Sequence, residues 1–364
     1  MKRGGSRALS TRHSMKKRIT YLDLIKLIAL TFVCFSHVYQ RVVPDAINNR
    51  LFEFFYSLHM GLFMFVGGFL IKKTSSFKEQ GKYILKLMLG YLFPAILFTF
   101  ITVLIVPNYA NHDILYWFKE FVLRTDTFYW YFISAFIINI SISSSYTLST
   151  KIAKNKVLNI SLMIVLNILC LSVLIVLYKY IGRDFLALDL TIFYYFIAAI
   201  GFITFFIHGY IETTQKNNII KIITMSIAIT GYIIGFILLD NWVKMSNFLI
   251  DDYHFIWYLF TSISGVIAIY TITIYLVKLR MFDILSKYGK YSKEFYLIHV
   301  LFLRIVTPYV NKIATINHYS IIFIITYSLI ILISSLAFSI LLSKNKYISL
   351  MLFGNITAQA QKGE

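Results

Sequence analysis

Tyr21-Leu22-Asp23-Leu24-Ile25-Lys26-Leu27-Ile28-Ala29-Leu30-Thr31-Phe32-Val33-Cys34-Phe35-Ser36-His37-Val38-Tyr39 is an apolar run interrupted by two charges and a histidine. Its length is that of a bilayer crossing, since a helix needs ~20 mostly apolar residues to span the hydrocarbon core. At ~100° per residue, Asp23, Lys26, Leu30, Val33 and His37 fall on one stripe. A charge at the bilayer centre costs ~2.5–3.5 kcal/mol on insertion scales, so each one needs a reason, and an interior seam along that stripe is one. Lys26 and His37 are eleven residues apart, which is ~16 Å along a helix axis. They cannot touch, and they mark opposite ends of the seam.

Working outward, nine further apolar runs follow, at roughly 51–71, 83–106, 127–148, 157–178, 188–208, 219–239, 255–277, 292–309 and 319–342. They lack the period-2 alternation of barrel strands, and backbone groups in hydrocarbon must pair internally. The fold class is therefore all-α: a polytopic integral membrane protein with about ten transmembrane helices. Composition agrees. Of the 364 residues 59% are hydrophobic and only 14% charged, with a mean hydropathy of +0.73. Soluble domains carry about 25% charged residues, so this chain has too little polar surface to cover a water-facing globule.

A formal net charge of +19 would suit nucleic acid, but the basic residues sit in short clusters between apolar runs, the pattern that sets membrane orientation. With the N-terminus inside, 24 of the 35 Lys and Arg fall in inner segments and eight in outer ones, while Lys26, Lys86 and Arg304 lie within spans. This threefold bias places both termini in the cytoplasm and excludes nucleic acid as partner. Residues 1–18 read as a disordered basic cytoplasmic tail, 19–343 as one transmembrane domain, and 344–364 as a cytoplasmic C-terminal tail. Around 107–126, Trp117, Phe118, Phe121 and Val122 suggest an amphipathic helix lying in the interface. Cys34 and Cys170 both fall in apolar runs and read as small buried residues rather than a disulfide.

Other spans hold further polar groups. Lys26 has an alternative reading, a snorkelling lysine or a partner of Asp23 one turn away, and His37 one as a hydrogen-bonded interfacial histidine. The second span adds Glu53 and His59, at depths similar to His37, and then Gly67 and Gly68, which permit close helix packing. Phe128, Tyr129, Trp130 and Tyr131 open the fourth span and read most simply as an interfacial aromatic belt. The ninth carries Glu294, His299 and Arg304. A buried arginine stays charged and needs a carboxylate or an anionic ligand; Glu53 or a substrate group would serve. Neither HExxH, CxxC nor a phosphate-binding glycine loop is present, and the histidine spacing gives no support for a metal.

Four stretches together resemble the acyltransferase-3 family of membrane acyltransferases. The first, Leu22-Asp23-Leu24-Ile25-Lys26-Leu27-Ile28-Ala29 leading to His37, is similar to a first-span pattern in which a basic residue precedes a histidine by ten intervening positions. Arginine is commoner there, and lysine is the variant of the polysaccharide-intercellular-adhesin branch. Phe55-Tyr56-Ser57-Leu58-His59-Met60-Gly61-Leu62-Phe63-Met64-Phe65-Val66-Gly67-Gly68-Phe69 resembles that branch's "FHMPLFFFLSGF", with Gly61 and Gly67 replacing the usual Pro and Ser. Phe128-Tyr129-Trp130-Tyr131-Phe132 loosely resembles a "WFL" signature. Tyr288-Gly289-Lys290-Tyr291-Ser292-Lys293-Glu294-Phe295-Tyr296-Leu297-Ile298-His299 resembles "GKYSLEIYLIH".

The resemblance implies O-acylation of carbohydrate in a bacterial plasma membrane. Acyl-CoA, acetyl-CoA first among them, would be the donor substrate, with no permanently bound cofactor. The acceptor would be a cell-surface or exported glycan or a lipid-linked saccharide, the lipid bilayer would be the surroundings, and glycan synthase components would be further partners. His37 is implied as general base or transient acyl carrier, with Lys26 and Asp23 positioning the thioester. Glu53, His59, Trp130, His299 and Arg304 are the expected substrate-binding residues. Sugar hydroxyls have very high pKa values, so attack on a thioester needs a positioned base, a role histidine fits near neutral pH. A polysaccharide exporter would also carry intramembrane charge, though no inverted repeat is visible, and a scaffold for a synthase would need no chemistry of its own.

Overall fold

The computed structural model describes residues 19–43, 46, 49–105, 113, 115–116, 129–181, 186–214, 218–238, 252–280, 282–314 and 320–355. Among these there is no strand, and helices account for the architecture: α1 (Thr20–Val42), α2 (Arg50–Phe69), α3 (Phe77–Leu87), a π-helical turn (Met88–Leu92), α4 (Phe93–Ile105), α5 (Trp130–Ile152), α6 (Lys156–Ile181), α7 (Leu186–Thr214), α8 (Asn218–Leu238), α9 (Asp252–Lys278), α10 (Asp283–Ser286), a 3₁₀ turn (Lys287–Tyr291), α11 (Ser292–Ala314), α12 (Ile321–Lys344) and α13 (Lys346–Phe353). Each of the ten expected runs coincides with one of these helices, or with α3 and α4 joined through the π turn. Eight spans among the described residues are long and apolar enough to cross a membrane. Helix α8 offers only the shorter apolar stretch Ile222–Leu238, and α11 carries Lys293, Glu294, Arg304 and Lys312. The N-terminal tail and Trp117, Phe118, Phe121 and Val122 lie outside the described residues.

Helix α1 is the hub. It packs against α2, α9, α11, α12 and the 3₁₀ turn, so its polar stripe is lined from several sides. Leu30 and Val33, between Lys26 and His37 on that stripe, are fully buried. By contrast α6 shows apolar side chains such as Val165, Ile168 and Val173 to the outside over most of its length. Exposure on that scale in a water-soluble protein would be an association site; on a spanning helix it is the lipid face.

Two close approaches fix the helices around α1. A Cβ on Gly68 would overlap the Ala198 carbonyl, and one on Gly201 would overlap that of Phe65. The α2–α7 crossing is thus a reciprocal small-residue contact, as expected where packing rather than water drives association. Likewise a Cβ on Gly289 would strike the Asp23 carbonyl, which seats the 3₁₀ turn against the start of α1. Gly67 behaves differently from its neighbour, with nothing within 4 Å of a Cβ placed on it.

Polar side chains tie the ends. Ser76 caps α3 by accepting from the Glu79 N–H, and Glu79 accepts in return from the Ser75 N–H, a variant of the capping box. The loop before it is held to α5 by Thr74, Gln80, Ser143 and Thr147, whose hydroxyls and amide bond one another. Helix α13 is capped by Asn345 and ends at Gly354 in the left-handed conformation, φ 60°, where glycine is free of the Cβ penalty.

Candidate functional site

Three histidines from three helices meet. His37 of α1 lies with its ring centroid 5.7 Å from that of His299 on α11 and 6.4 Å from that of His59 on α2. The ring nitrogen Nδ1 of His59 bonds the Phe55 carbonyl at 3.0 Å, and Nδ1 of His299 bonds the Phe295 carbonyl at 3.2 Å. A carbonyl only accepts, so each of these Nδ1 atoms carries the proton and each Nε2 presents a lone pair. Nε2 of His299 is buried and has no hydrogen-bond partner among the described residues. His59 and His299 are sealed in at 2% and 0% exposure. Of the three, His37 is the one with part of its surface exposed. Among the described residues no group of three or more His, Cys, Asp and Glu side chains is arranged to hold a metal ion.

At the other end of α1 lies a cavity of about 310 Å³. Lys26, Lys86 and Lys293 line it, with Tyr83, Tyr91, Tyr131, Asn139 and Tyr296 among its other walls. Among the described residues no carboxylate does. Lys26 also pairs with Asp23, Nζ to Oδ1 at 2.8 Å, so both readings of Lys26 hold at once: an ion pair one turn apart, and a cation facing a cavity. Gly67 lines the cavity too, which accounts for the empty space around it; close packing belongs to Gly68 alone.

Tyr296 connects the two ends. It lines the cavity, and its ring centroid lies 5.2 Å from that of His299. Tyr131 abuts Tyr296 at 5.1 Å and Phe63 packs against both. The aromatic opening of α5 is therefore interior rather than an outward-facing belt: Tyr129 and Phe132 are buried, and the Tyr129 hydroxyl donates to the Leu297 carbonyl. Trp130 is part-buried and stacks on Tyr194, 5.8 Å between centroids. Phe128 lies outside the described residues.

Glu53 and Arg304 sit away from the cavity. The Glu53 carboxylate accepts from Arg50 three residues before it, at 3.1 Å, a partner that reading for cross-helix pairs overlooked. Arg304 projects from α11 a turn and a half beyond His299 and is partly buried. Lys86, Lys293, Tyr296 and Asn355 were missed as site residues. For Lys86 the signal was available, as a lysine within a span; for Asn355 nothing in the sequence pointed to the cavity.

This arrangement offers a cationic cavity at one end of a buried seam and a histidine with accessible surface at the other, joined by aromatic walls. The first suits an anionic substrate and the second suits proton transfer from a hydroxyl. Against known proteins, residues 19–344 match the family model described as an acyltransferase domain (Acyl_transf_3). No curated protein and no solved structure matches the chain. A match over nearly the whole helical bundle makes the protein a membrane acyltransferase, and the chain belongs to the acyltransferase-3 family.

Proposed function

We propose that the protein moves an acyl group, acetyl in the first instance, from cytoplasmic acyl-CoA to a hydroxyl of a cell-surface or exported glycan. Its nearest functional kin would be the exopolysaccharide O-acyltransferases, in a bacterial plasma membrane. The donor enters at the Lys26 end, with its phosphates toward the lysines and its pantetheine arm extended along the seam. The ~16 Å of helix axis between Lys26 and His37 is a distance that an extended arm can cover. At the far end His37 takes the proton of the acceptor hydroxyl, the oxygen attacks the thioester carbonyl, and the carbon–sulfur bond breaks. CoA thiolate leaves with the proton, and an ester remains on the sugar. A positioned base of this kind contributes about 10²–10⁴-fold to rate.

The observation that carries the reading is the contrast among the three clustered histidines: two have Nδ1 tied to their own helix and are sealed in, and one is open. The test compares ester-specific NMR of the surface glycan in wild type, a deletion and His37→Ala. The reading expects ester signal to vanish in both while glycan amount is unchanged. Normal acylation on a diminished amount of surface glycan would make the protein an exporter instead, and unaltered glycan in His37→Ala would remove the base from this position.

A further inference from the structure

The chain's last described residues form one wall of the cavity. Gly354 and Asn355 line it, and they are anchored there. The Phe353 side chain is fully buried and stacks on Phe98, 6.0 Å between centroids and 17° between planes. Gly354 packs so closely on the carbonyl of Leu89, in the π turn, that a Cβ would overlap it. From this turn two acceptors reach Lys293: its Nζ donates to the Phe353 carbonyl at 2.6 Å and to Asn355 Oδ1 at 2.6 Å. The Asn355 amide nitrogen in turn donates to Glu294 Oε1 and to Ser349 Oγ, both at 2.8 Å. That pattern fixes which way the amide points.

An ammonium has three donors. Two of those on Lys293 go to the C-terminal turn, and the third has no partner among the described residues. The amide of Asn355 stands between the ammonium and the Glu294 carboxylate, so the carboxylate offsets the charge without covering it. Lys293 also stands where the "GKYSLEIYLIH" element has leucine, which makes this cation a feature of this chain rather than of the resemblance. Beside Lys26 and Lys86, and with no carboxylate lining the space among the described residues, it completes a triad of cations from α1, α3 and α11.

We propose that Lys293 is a phosphate-binding residue of the donor cavity and that Asn355, through the C-terminal turn, is the positioning residue that holds it there. The inference rests on the reading of this cavity as the acyl-CoA site. Lysine serves phosphate as a point charge, and its flexible stem loses entropy when fixed. Two hydrogen bonds from an anchored turn fix it in advance, which is how a preorganised site lowers the cost of binding.

The experiment titrates CoA and pantetheine, which lacks the phosphates, into the full-length purified protein in lipid nanodiscs, at low and at high salt. Lys293→Met is expected to weaken CoA binding about tenfold, the effect of one charge-assisted hydrogen bond, and to leave pantetheine unchanged. Asn355→Ala is expected to weaken CoA a few-fold with the same selectivity, and Lys293→Arg to restore most of the affinity. The salt dependence of CoA binding should flatten in Lys293→Met, because one screened contact is gone. A Lys293→Met protein that binds CoA like wild type overturns the proposal. So does one that loses CoA and pantetheine alike together with thermal stability, since that is the signature of a structural clamp. A wild type that binds no CoA overturns the donor reading itself, and the proposal with it.

Discussion

The two ends of α1 solve opposite problems with the same helix. At the Lys26 end charge is gathered: three lysines and, among the described residues, no carboxylate line the cavity, and Asp23 offsets Lys26 at 2.8 Å. At the His37 end imidazoles are gathered instead: the rings of His59 and His299 lie 6.4 and 5.7 Å from that of His37, each with Nδ1 bonded to a backbone carbonyl. An imidazole that is to accept a proton must be neutral when its substrate arrives, and a donor that carries phosphates must be met by fixed cations. Putting the two at opposite ends of one helix sets Lys26 ~16 Å along the axis from the proposed base, His37. The lesson is that intramembrane polar residues on one stripe need not form one site; their separation can itself be functional.

Substitutions can break this division of labour, and the largest effect is expected at the proposed base. His37→Gln should lower kcat by about 10²–10⁴-fold with KM for acyl-CoA little changed, as measured by CoA release in proteoliposomes. Next comes the contrast between adjacent glycines. Gly68→Ala forces a Cβ into the Ala198 carbonyl and should cost about 1–3 kcal/mol, seen as a lower melting temperature in detergent. Gly67→Ala should leave melting unchanged and instead raise KM for acyl-CoA, since its Cβ enters the cavity.

Lys26→Met, made together with Asp23→Asn so that no carboxylate loses its ion-pair partner, should raise KM for acyl-CoA about tenfold, the loss of one charged contact. Lys26→Arg should preserve activity. The smallest effect is expected at Arg50→Met made together with Glu53→Gln, so that the buried Glu53 carboxylate, 2% exposed, is not left without the guanidinium that meets it at 3.1 Å. With both charges gone no desolvated ion stays unpaired, so both melting temperature and kcat/KM should stay near wild type. A large loss there would mean that Glu53 belongs to the site after all.

Much of this was legible in sequence because it follows from local rules. The run Tyr21–Tyr39 had the length of a span and the stripe of a helix with one polar seam, and each of the other nine runs coincides with helix. Lys26 and His37 could be assigned to opposite ends from axial rise alone. What could not be read depends on contacts between helices. That His299 lies nearer to His37 than His59 does is set by how α11 and α2 pack on α1, which no spacing encodes. Gly67 and Gly68 look alike in sequence, and only the α2–α7 crossing separates a packing glycine from a cavity glycine. The aromatic run at Tyr129 read as a belt because position along a span gives depth but not the direction a ring faces. Asn355 falls some sixty residues after Lys293, past the last span, where composition alone suggests a tail; Gly354 was the one local sign of a helix end there.

The account stands on separate tasks for the two ends of α1, and steady-state kinetics of the purified enzyme in proteoliposomes tests this most directly, with acyl-CoA varied at saturating acceptor for His37→Gln and for the Asp23→Asn, Lys26→Met pair. The account predicts a loss confined to kcat in the first and a rise confined to KM in the second. Equal losses in kcat for both, or a His37→Gln enzyme that turns over like wild type, would contradict it.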